Sequence, residues 1–220
     1  MRATTRFTLL IVLALAGLAD AQVTVSQADS VIQRKYFDPN NRPGDMPKLN
    51  PRESAVTQSF FGADSRVGGA VVRKKQIGDE WQAWVKVDTV RMTLQMRVTI
   101  WLPNNPVPKL VNHEEGHRRI AELYYQDAEP TARELADHLL GQEITGKGAN
   151  PEAAADNALK EAAETLGQQY MGRIDIPCGK AEDLFDEITI HGTNAIREEE
   201  AIKQAINRVA NDSVPAGSSP

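Results

Sequence analysis

A run of alternating apolar and polar residues between positions 90 and 102 constrains the fold of this chain more than any other feature. The apolar residues fall on even positions and are Val90, Met92, Leu94, Met96, Val98, Ile100 and Leu102. Polar residues separate them, and Trp101 is the one apolar residue between them. Because successive side chains of a strand point to opposite faces, this pattern predicts a β-strand with one buried face.

The residues upstream of this strand predict further β-structure. Apolar residues fall there on odd positions, at Trp81, Ala83, Val85 and Val87. A one-residue shift moves every side chain to the other face, so we expect a turn or a bulge at Asp88 and Thr89, between two strands. The segment 67–73 is a predicted partner strand. The first half is therefore predicted to be an antiparallel, β-rich unit.

Two other segments of the first half carry capping and turn signals. Ser26 and Asp29 have the spacing of a capping box, which predicts a short helix running toward Tyr36. The segment 38–51 is dense in proline, asparagine and glycine and is predicted to be an irregular surface loop.

The second half of the chain is predicted to be helical. Apolar spacing and proline positions predict helices over 108–127, over 130–140, from Pro151 onward and over 194–210. The glycine-containing segment 142–149 is predicted to be a loop. The fold class is therefore predicted to be α+β, with a β-rich half packed against helices. We expect a single domain over 22–211 and a disordered tail over 212–220.

The first 21 residues have the three-part pattern of a secretory signal peptide. Two arginines precede thirteen uncharged residues at 7–19, and Ala-Asp-Ala at 19–21 is a small-x-small cleavage signature. Thirteen apolar residues are too few for a membrane span of ~20 residues. We therefore expect cleavage after Ala21. The mature protein would be exported, periplasmic or extracellular, and without a membrane span.

Charge divides the mature chain into two unequal halves. Residues 22–112 carry 13 Lys and Arg against 8 Asp and Glu, a net charge of +5, whereas 113–220 carry 10 against 21, a net charge of −11. All four histidines lie in the acidic half, which fits a cation site, although a solvated acidic surface explains most of these carboxylates equally well. The overall charge of −5 argues against a nucleic-acid partner. The single cysteine, Cys178, cannot form an intrachain disulfide and is expected to be buried.

The sequence His113-Glu-Glu-Gly-His117 matches the pattern H-E-x-x-H within a predicted helix. Residues four apart lie on one face of a helix, so the two imidazoles can occupy two corners of a zinc tetrahedron. Glu114 lies close enough to reach a water on the metal as a general base. Gly116 costs ~1 kcal/mol relative to alanine inside a helix, which suggests that another group approaches the backbone there.

A catalytic zinc needs a third protein ligand, and the residues leave more than one candidate. The metzincin pattern would place a histidine at position 123, which is Leu123. Glu134 is a candidate on the next helix, although Asp137 departs from the usual E-x-x-x-D spacing. The strongest alternative is the segment 186–191, which begins at Asp186, ends at His191 and concentrates carboxylate, hydroxyl and imidazole groups.

Two motifs together resemble a known family. H-E-x-x-H is followed about 70 residues later by Phe-Asp-x-x-Thr-x-His-Gly at 185–192. This combination resembles the bacterial family of predicted secreted zinc-dependent proteases, also described as a domain of unknown function. The resemblance covers most of the mature chain, although only the two motifs are specific, and Phe185 stands where tyrosine is expected.

The resemblance implies a ligand set and a reaction. His113, His117 and His191 would bind Zn²⁺, Glu114 would be the acid/base, and Asp186 would orient an imidazole. The chain would then be a secreted, zincin-like metallopeptidase acting on proteins or peptides, with peptidoglycan cross-links as an alternative substrate. Tyr124 and Tyr170 are weak candidates for oxyanion stabilisation. Two other classes remain open, namely a zinc-binding envelope protein without activity and a metal-free interaction module.

Overall fold

The computed structural model describes residues 22–50 and 53–212 of the chain. The predicted signal peptide and all of the predicted tail except Asp212 lie outside these residues. Five strands and five helices are present within them. The strands are β1 (Gln22–Gln27), β2 (Val31–Phe37), β3 (Val56–Ile77), β4 (Glu80–Pro103) and β5 (Glu143–Gly148). The helices are α1 (Pro108–Gln126), α2 (Ala128–Leu139), α3 (Pro151–Arg173), α4 (Asp175–Thr189) and α5 (Glu198–Asp212).

β4 is the central strand, and it contains the predicted alternation. The seven even-numbered apolar residues from Val90 to Leu102 are all buried, whereas the odd positions 91–97 are exposed. Trp101, the apolar exception, is also buried, and the Lys35 ammonium lies 4.3 Å from the centre of its ring. The prediction of a strand with one buried face is confirmed.

β3 pairs antiparallel with β4 along almost its whole length, which confirms the predicted partner strand. Gly68 lies opposite Thr89 and Gly69 opposite Val87, so Asp88 is the extra residue of a β-bulge. The change of parity is therefore a bulge inside one continuous strand and does not separate two strands. The bulge moves the buried side chains from odd to even positions without ending the ladder.

Three short strands share the other edge of β4. β5 pairs antiparallel with Trp81–Lys86, β1 pairs parallel with Thr89–Leu94, and β2 pairs parallel with Arg97–Pro103. The sheet is therefore mixed, and the prediction of a purely antiparallel unit is wrong for β1 and β2.

The capping-box prediction is also wrong, because residues 26–36 lie mostly in β1 and β2. The Ser26 hydroxyl points at the Thr93 hydroxyl of β4, 3.3 Å away, and does not cap a helix. Pairing with the open edge of β4 satisfies the backbone here and overrides the local helix signal.

The predicted loop at 142–149 is the short strand β5. Its two glycines lie under α3, and a Cβ on Gly146 or Gly148 would overlap the helix backbone near Ala154. These glycines therefore permit close packing of a strand against a helix and do not mark a loop.

Helices α1, α2 and α3 pack against the sheet, and α4 and α5 pack against other helices. The positions of α1, α2, α3 and α5 agree broadly with the prediction, but the sequence analysis does not predict α4. The Asn150 side chain accepts a hydrogen bond of 2.8 Å from the Ala153 amide, which caps α3 ahead of Pro151. α5 begins at Glu198, four residues later than predicted. No helix among residues 22–50 and 53–212 combines the length and apolarity needed to span a bilayer.

Candidate metal centre

Helix α1 carries the two histidines of the H-E-x-x-H pattern toward α4. His113 and His117 are both buried, one helical turn apart, and their ring centres lie 4.9 Å from each other. Phe185 of α4 stacks on His113 at 5.0 Å and meets the edge of His117 at 5.1 Å. The same aromatic ring therefore holds both imidazoles in place.

Gly116 lies between these histidines, and its missing side chain makes room for Phe185. A Cβ at this position would overlap the Phe185 ring, so the close approach expected from the sequence is present.

We expect Gly116→Ala to lower the free energy of unfolding by about 1–3 kcal/mol, because the added methyl group overpacks the contact with Phe185. This loss is expected even though alanine has a higher helix propensity than glycine. Thermal unfolding checks this, with Gly172→Ala in α3 as control, because a Cβ there meets open space. Equal stability of the two variants would contradict the packing role.

Asp186, on α4, faces both histidines with one oxygen. Its Oδ1 lies 3.0 Å from His113 Nε2 and 3.1 Å from His117 Nε2. Ligands that sit about 2.0–2.1 Å from a common ion in a tetrahedral site are roughly 3.4 Å apart, close to these separations. His113, His117 and Asp186 could therefore hold a metal ion.

The Asp186 carboxylate and the two imidazoles shift each other's pKa values. Burial alone would raise the pKa of the Asp186 carboxyl, but the hydrogen bonds from His113 and His117 hold it well below its ordinary value. Burial would lower the pKa of His117, yet the hydrogen bond and charge of Asp186 raise it above the usual range. The cluster therefore favours the ionised Asp186 carboxylate, which is the form that binds a cation, whereas an ion has to displace the proton that the raised pKa of His117 favours.

Glu114 lies beside this cluster and is held by a residue of the sheet. The Thr57 hydroxyl of β3 donates a hydrogen bond of 2.7 Å to Glu114 Oε2. Burial raises the pKa of the Glu114 carboxyl, and the neighbouring His117 and Thr57 oppose that rise only in part. Glu114 also lines a cavity of about 330 Å³ together with Glu53, His113 and His191. Glu114 therefore belongs to both the buried cluster and the wall of that cavity.

The second motif builds a turn that returns the chain to the same carboxylate. α4 ends at Thr189, and the next three residues, Ile190, His191 and Gly192, all have positive φ, at 52°, 50° and 72°. The Thr189 hydroxyl accepts a hydrogen bond of 3.3 Å from the Gly192 amide, and a Cβ on Gly192 would lie 2.8 Å from the His113 ring. The threonine and glycine of the motif thus close the turn and let it pass over His113.

His191 lies on the far side of the Asp186 carboxylate from the helix histidines. Its Nδ1 is 3.7 Å from Asp186 Oδ2 and 3.6 Å from Glu53 Oε1. The structure therefore brings His113, His117 and Asp186 together through Oδ1, and His191 to Oδ2. The assignment of His191 as the third zinc ligand stays a prediction. In the structure, the oxygen near both Nε2 atoms belongs to Asp186.

Other sequence candidates lie away from this centre. Glu134 is on the surface of α2, where it pairs with Arg173 at 2.9 Å. Tyr124 and Tyr170 do not line the cavity beside Glu114, and burial raises the pKa of Tyr124 to about 12. Cys178 is buried, as expected, and burial raises the pKa of its thiol.

The sequence analysis missed two residues of β3 whose side chains hydrogen-bond to carboxylates at or near the centre. Thr57 and Ser59 alternate on β3, and the Ser59 hydroxyl donates a hydrogen bond of 2.8 Å to the carboxylate of Glu182, one turn before Asp186 on α4. Burial raises the pKa of Glu182. Nothing local to β3 signals these contacts, because their partners lie 57 and 123 residues further along the chain.

Comparisons with family models, with curated proteins and with solved structures found no match for this chain. The function therefore has to be inferred from the residues of the centre and from the cavity beside it.

Proposed function

We propose that this chain is an exported zinc-dependent peptidase whose ion is bound by His113, His117 and Asp186. One observation carries the proposal: the Nε2 atoms of both motif histidines lie 3.0 and 3.1 Å from one oxygen of Asp186. Glu114 of the same motif lies beside them at the wall of a cavity. Export rests on the leader-like first 21 residues of the sequence.

The donor set supports zinc over the hard cations. Two imidazoles and one carboxylate are the three-ligand set of several catalytic zinc sites, whereas calcium and magnesium prefer oxygen ligands alone. When bound, Zn²⁺ supplies a Lewis acid that lowers the pKa of a coordinated water toward ~7 and polarises a carbonyl group.

Glu114 is the residue proposed to move the proton. Its Oε2 is held by Thr57, and its Oε1 takes no hydrogen bond within the described part of the chain. A carboxylate whose pKa is raised by burial is a better base than an ordinary surface glutamate. We expect Glu114 to accept a proton from the attacking water and to deliver it to the leaving amine.

The sheet offers a place for an extended substrate. β3 pairs only with β4 among the described strands, so no strand occupies its other edge, where a peptide could add main-chain hydrogen bonds. Thr57, on that strand, already contacts Glu114. A peptide segment, either of a protein or of a peptidoglycan cross-link, is therefore the proposed substrate class.

The test measures metal and hydrolysis in the same preparation of the purified chain. We expect the wild-type protein to bind Zn²⁺, to hydrolyse members of a peptide and peptidoglycan panel, and to lose this activity on chelation. His117→Ala should lose the ion, because an imidazole ligand is removed from a buried site. His138→Ala is the matched control, since His138 lies on α2 outside the centre.

Two outcomes would contradict the proposal. A wild-type protein that binds no zinc would leave the centre as a hydrogen-bonded cluster. A protein that binds zinc tightly but hydrolyses nothing would be an envelope protein in which the ion links α1 to α4.

A further inference from the structure

We propose that His191, Glu53 and the second oxygen of Asp186 form a second divalent-cation site, so that Asp186 bridges two ions. This site goes beyond the proposed function, and it shares Asp186 with the centre on which that function rests. Its three donors are His191 Nδ1, Glu53 Oε1 and Asp186 Oδ2, and they lie within 4.8 Å of one another.

The first observation is a buried nitrogen without a partner. His191 Nδ1 is shielded from solvent and makes no hydrogen bond with the described residues. It lies 3.6 Å from Glu53 Oε1 and 3.7 Å from Asp186 Oδ2, which is too far for a hydrogen bond. Buried polar atoms of this kind call for an explanation, and separations of this size suit donors that share one ion.

The second observation is that a backbone turn holds His191 and that hydrogen bonds from Asn50 hold the Glu53 carboxylate. His191 sits between Ile190 and Gly192 in a turn of three residues with positive φ, and its amide donates a hydrogen bond of 2.8 Å to the Asp186 carbonyl. The Glu53 carboxylate accepts hydrogen bonds from the amide and the side chain of Asn50, at 3.1 and 2.6 Å. The donors are therefore held in place before any ion binds.

The third observation is an excess of negative charge. Glu53, Glu114 and Asp186 bring three carboxylates to the centre and its cavity. Lys109 lines the same cavity, but its ammonium donates to the Thr193 and Asn194 carbonyls. Three carboxylates and one ammonium leave a formal charge of −2 before any ion binds, which attracts cations to the centre and its cavity.

These donors fit a zinc-like ion with nitrogen and oxygen ligands. Two ions that share one carboxylate in hydrolytic enzymes lie about 3.5–4 Å apart. In such a pair the second ion would bind an oxygen or the terminal amine of a peptide in the cavity beside Glu114. Glu53 and His191 would then contribute to substrate binding through the second ion.

The experiment counts ions on the full mature chain by native mass spectrometry at rising free Zn²⁺. We expect two zinc ions per wild-type chain and one in both His191→Ala and Glu53→Gln. His138→Ala should keep two. With Mn²⁺ as probe, we expect the wild-type electron paramagnetic resonance spectrum to show spin coupling, and His191→Ala to lose it.

A single ion in the wild-type protein that His191→Ala leaves unchanged would overturn the second site. Loss of that single ion in His191→Ala, as in His117→Ala, would overturn it too, because His191 would then be a ligand of the first ion. Circular dichroism tests whether each variant is folded, and Glu53→Gln gives an independent count of bound ions if His191→Ala does not fold. Two bound ions without any hydrolysis would overturn the peptidase proposal and leave the second site standing.

Discussion

Replacing Glu114 by glutamine is expected to lower the rate of peptide hydrolysis by about 10²–10⁴-fold, the usual contribution of a positioned general base. The substitution keeps the size of the side chain and removes its basicity, and the amide oxygen can still accept the hydrogen bond of Thr57. Zinc content and thermal stability should therefore stay near those of the wild-type protein. Parallel zinc analysis and turnover assays on both purified proteins measure the effect.

The division of that effect between kcat and KM identifies the role of Glu114. A base that acts in the transition state lowers kcat with little change in KM. Glu122→Gln is the matched control, because Glu122 lies two turns further along α1 and pairs with Arg118 on the surface. Activity of Glu114→Gln equal to that of Glu122→Gln would show that another group takes the proton.

Replacing Asp186 by asparagine is expected to weaken zinc binding by far more than any other single change on α4. Loss of an outer-shell partner already costs about 10–100-fold in metal affinity, so loss of a direct ligand should exceed that range. Hydrogen bonds from His113 and His117 lower the pKa of Asp186 against the effect of burial, so the site favours a negative charge there. Competition of each variant with a coloured chelator measures the dissociation constant.

Asp183→Asn makes the same chemical change on the exposed face of α4 and should leave zinc affinity unchanged. If Asp186→Asn binds zinc as tightly as Asp183→Asn, while His191→Ala does not, then the third ligand is His191, as the family resemblance implies. The pair of variants therefore separates the two assignments directly.

The sequence predicted those parts of the fold whose signal is local. The alternation of β4 and the spacing of His113 and His117 depend only on the period of a strand and of a helix. β1 and β2 escaped prediction because their strand conformation depends on pairing with a strand about 66 residues away. β5 escaped because its glycines resemble those of a loop, whereas they make room for α3.

In the candidate site, too, the features with a local sequence signal could be predicted, and those that depend on distant contacts could not. Asp186 and His191 could both be named from the second motif, but which of them faces the histidines depends on the left-handed turn after α4. That turn sends the His191 ring to the far oxygen of Asp186. Thr57 and Glu53 belong to no motif, because they reach the centre only through the packing of β3 and its preceding segment against α1 and α4.

The alignment of β1, β2 and β5 along one edge of β4 determines when the proposed site can form during folding. The β3–β4 hairpin closes a short loop, whereas the other three partners must each close a much longer one, which is slow for entropic reasons. Thr57, Glu114 and Asp186 come from three distant stretches of chain and meet only when this high-contact-order sheet and its helices have assembled. On the proposed function, a chain that has not yet folded therefore carries no organised hydrolytic site, and activity would follow folding.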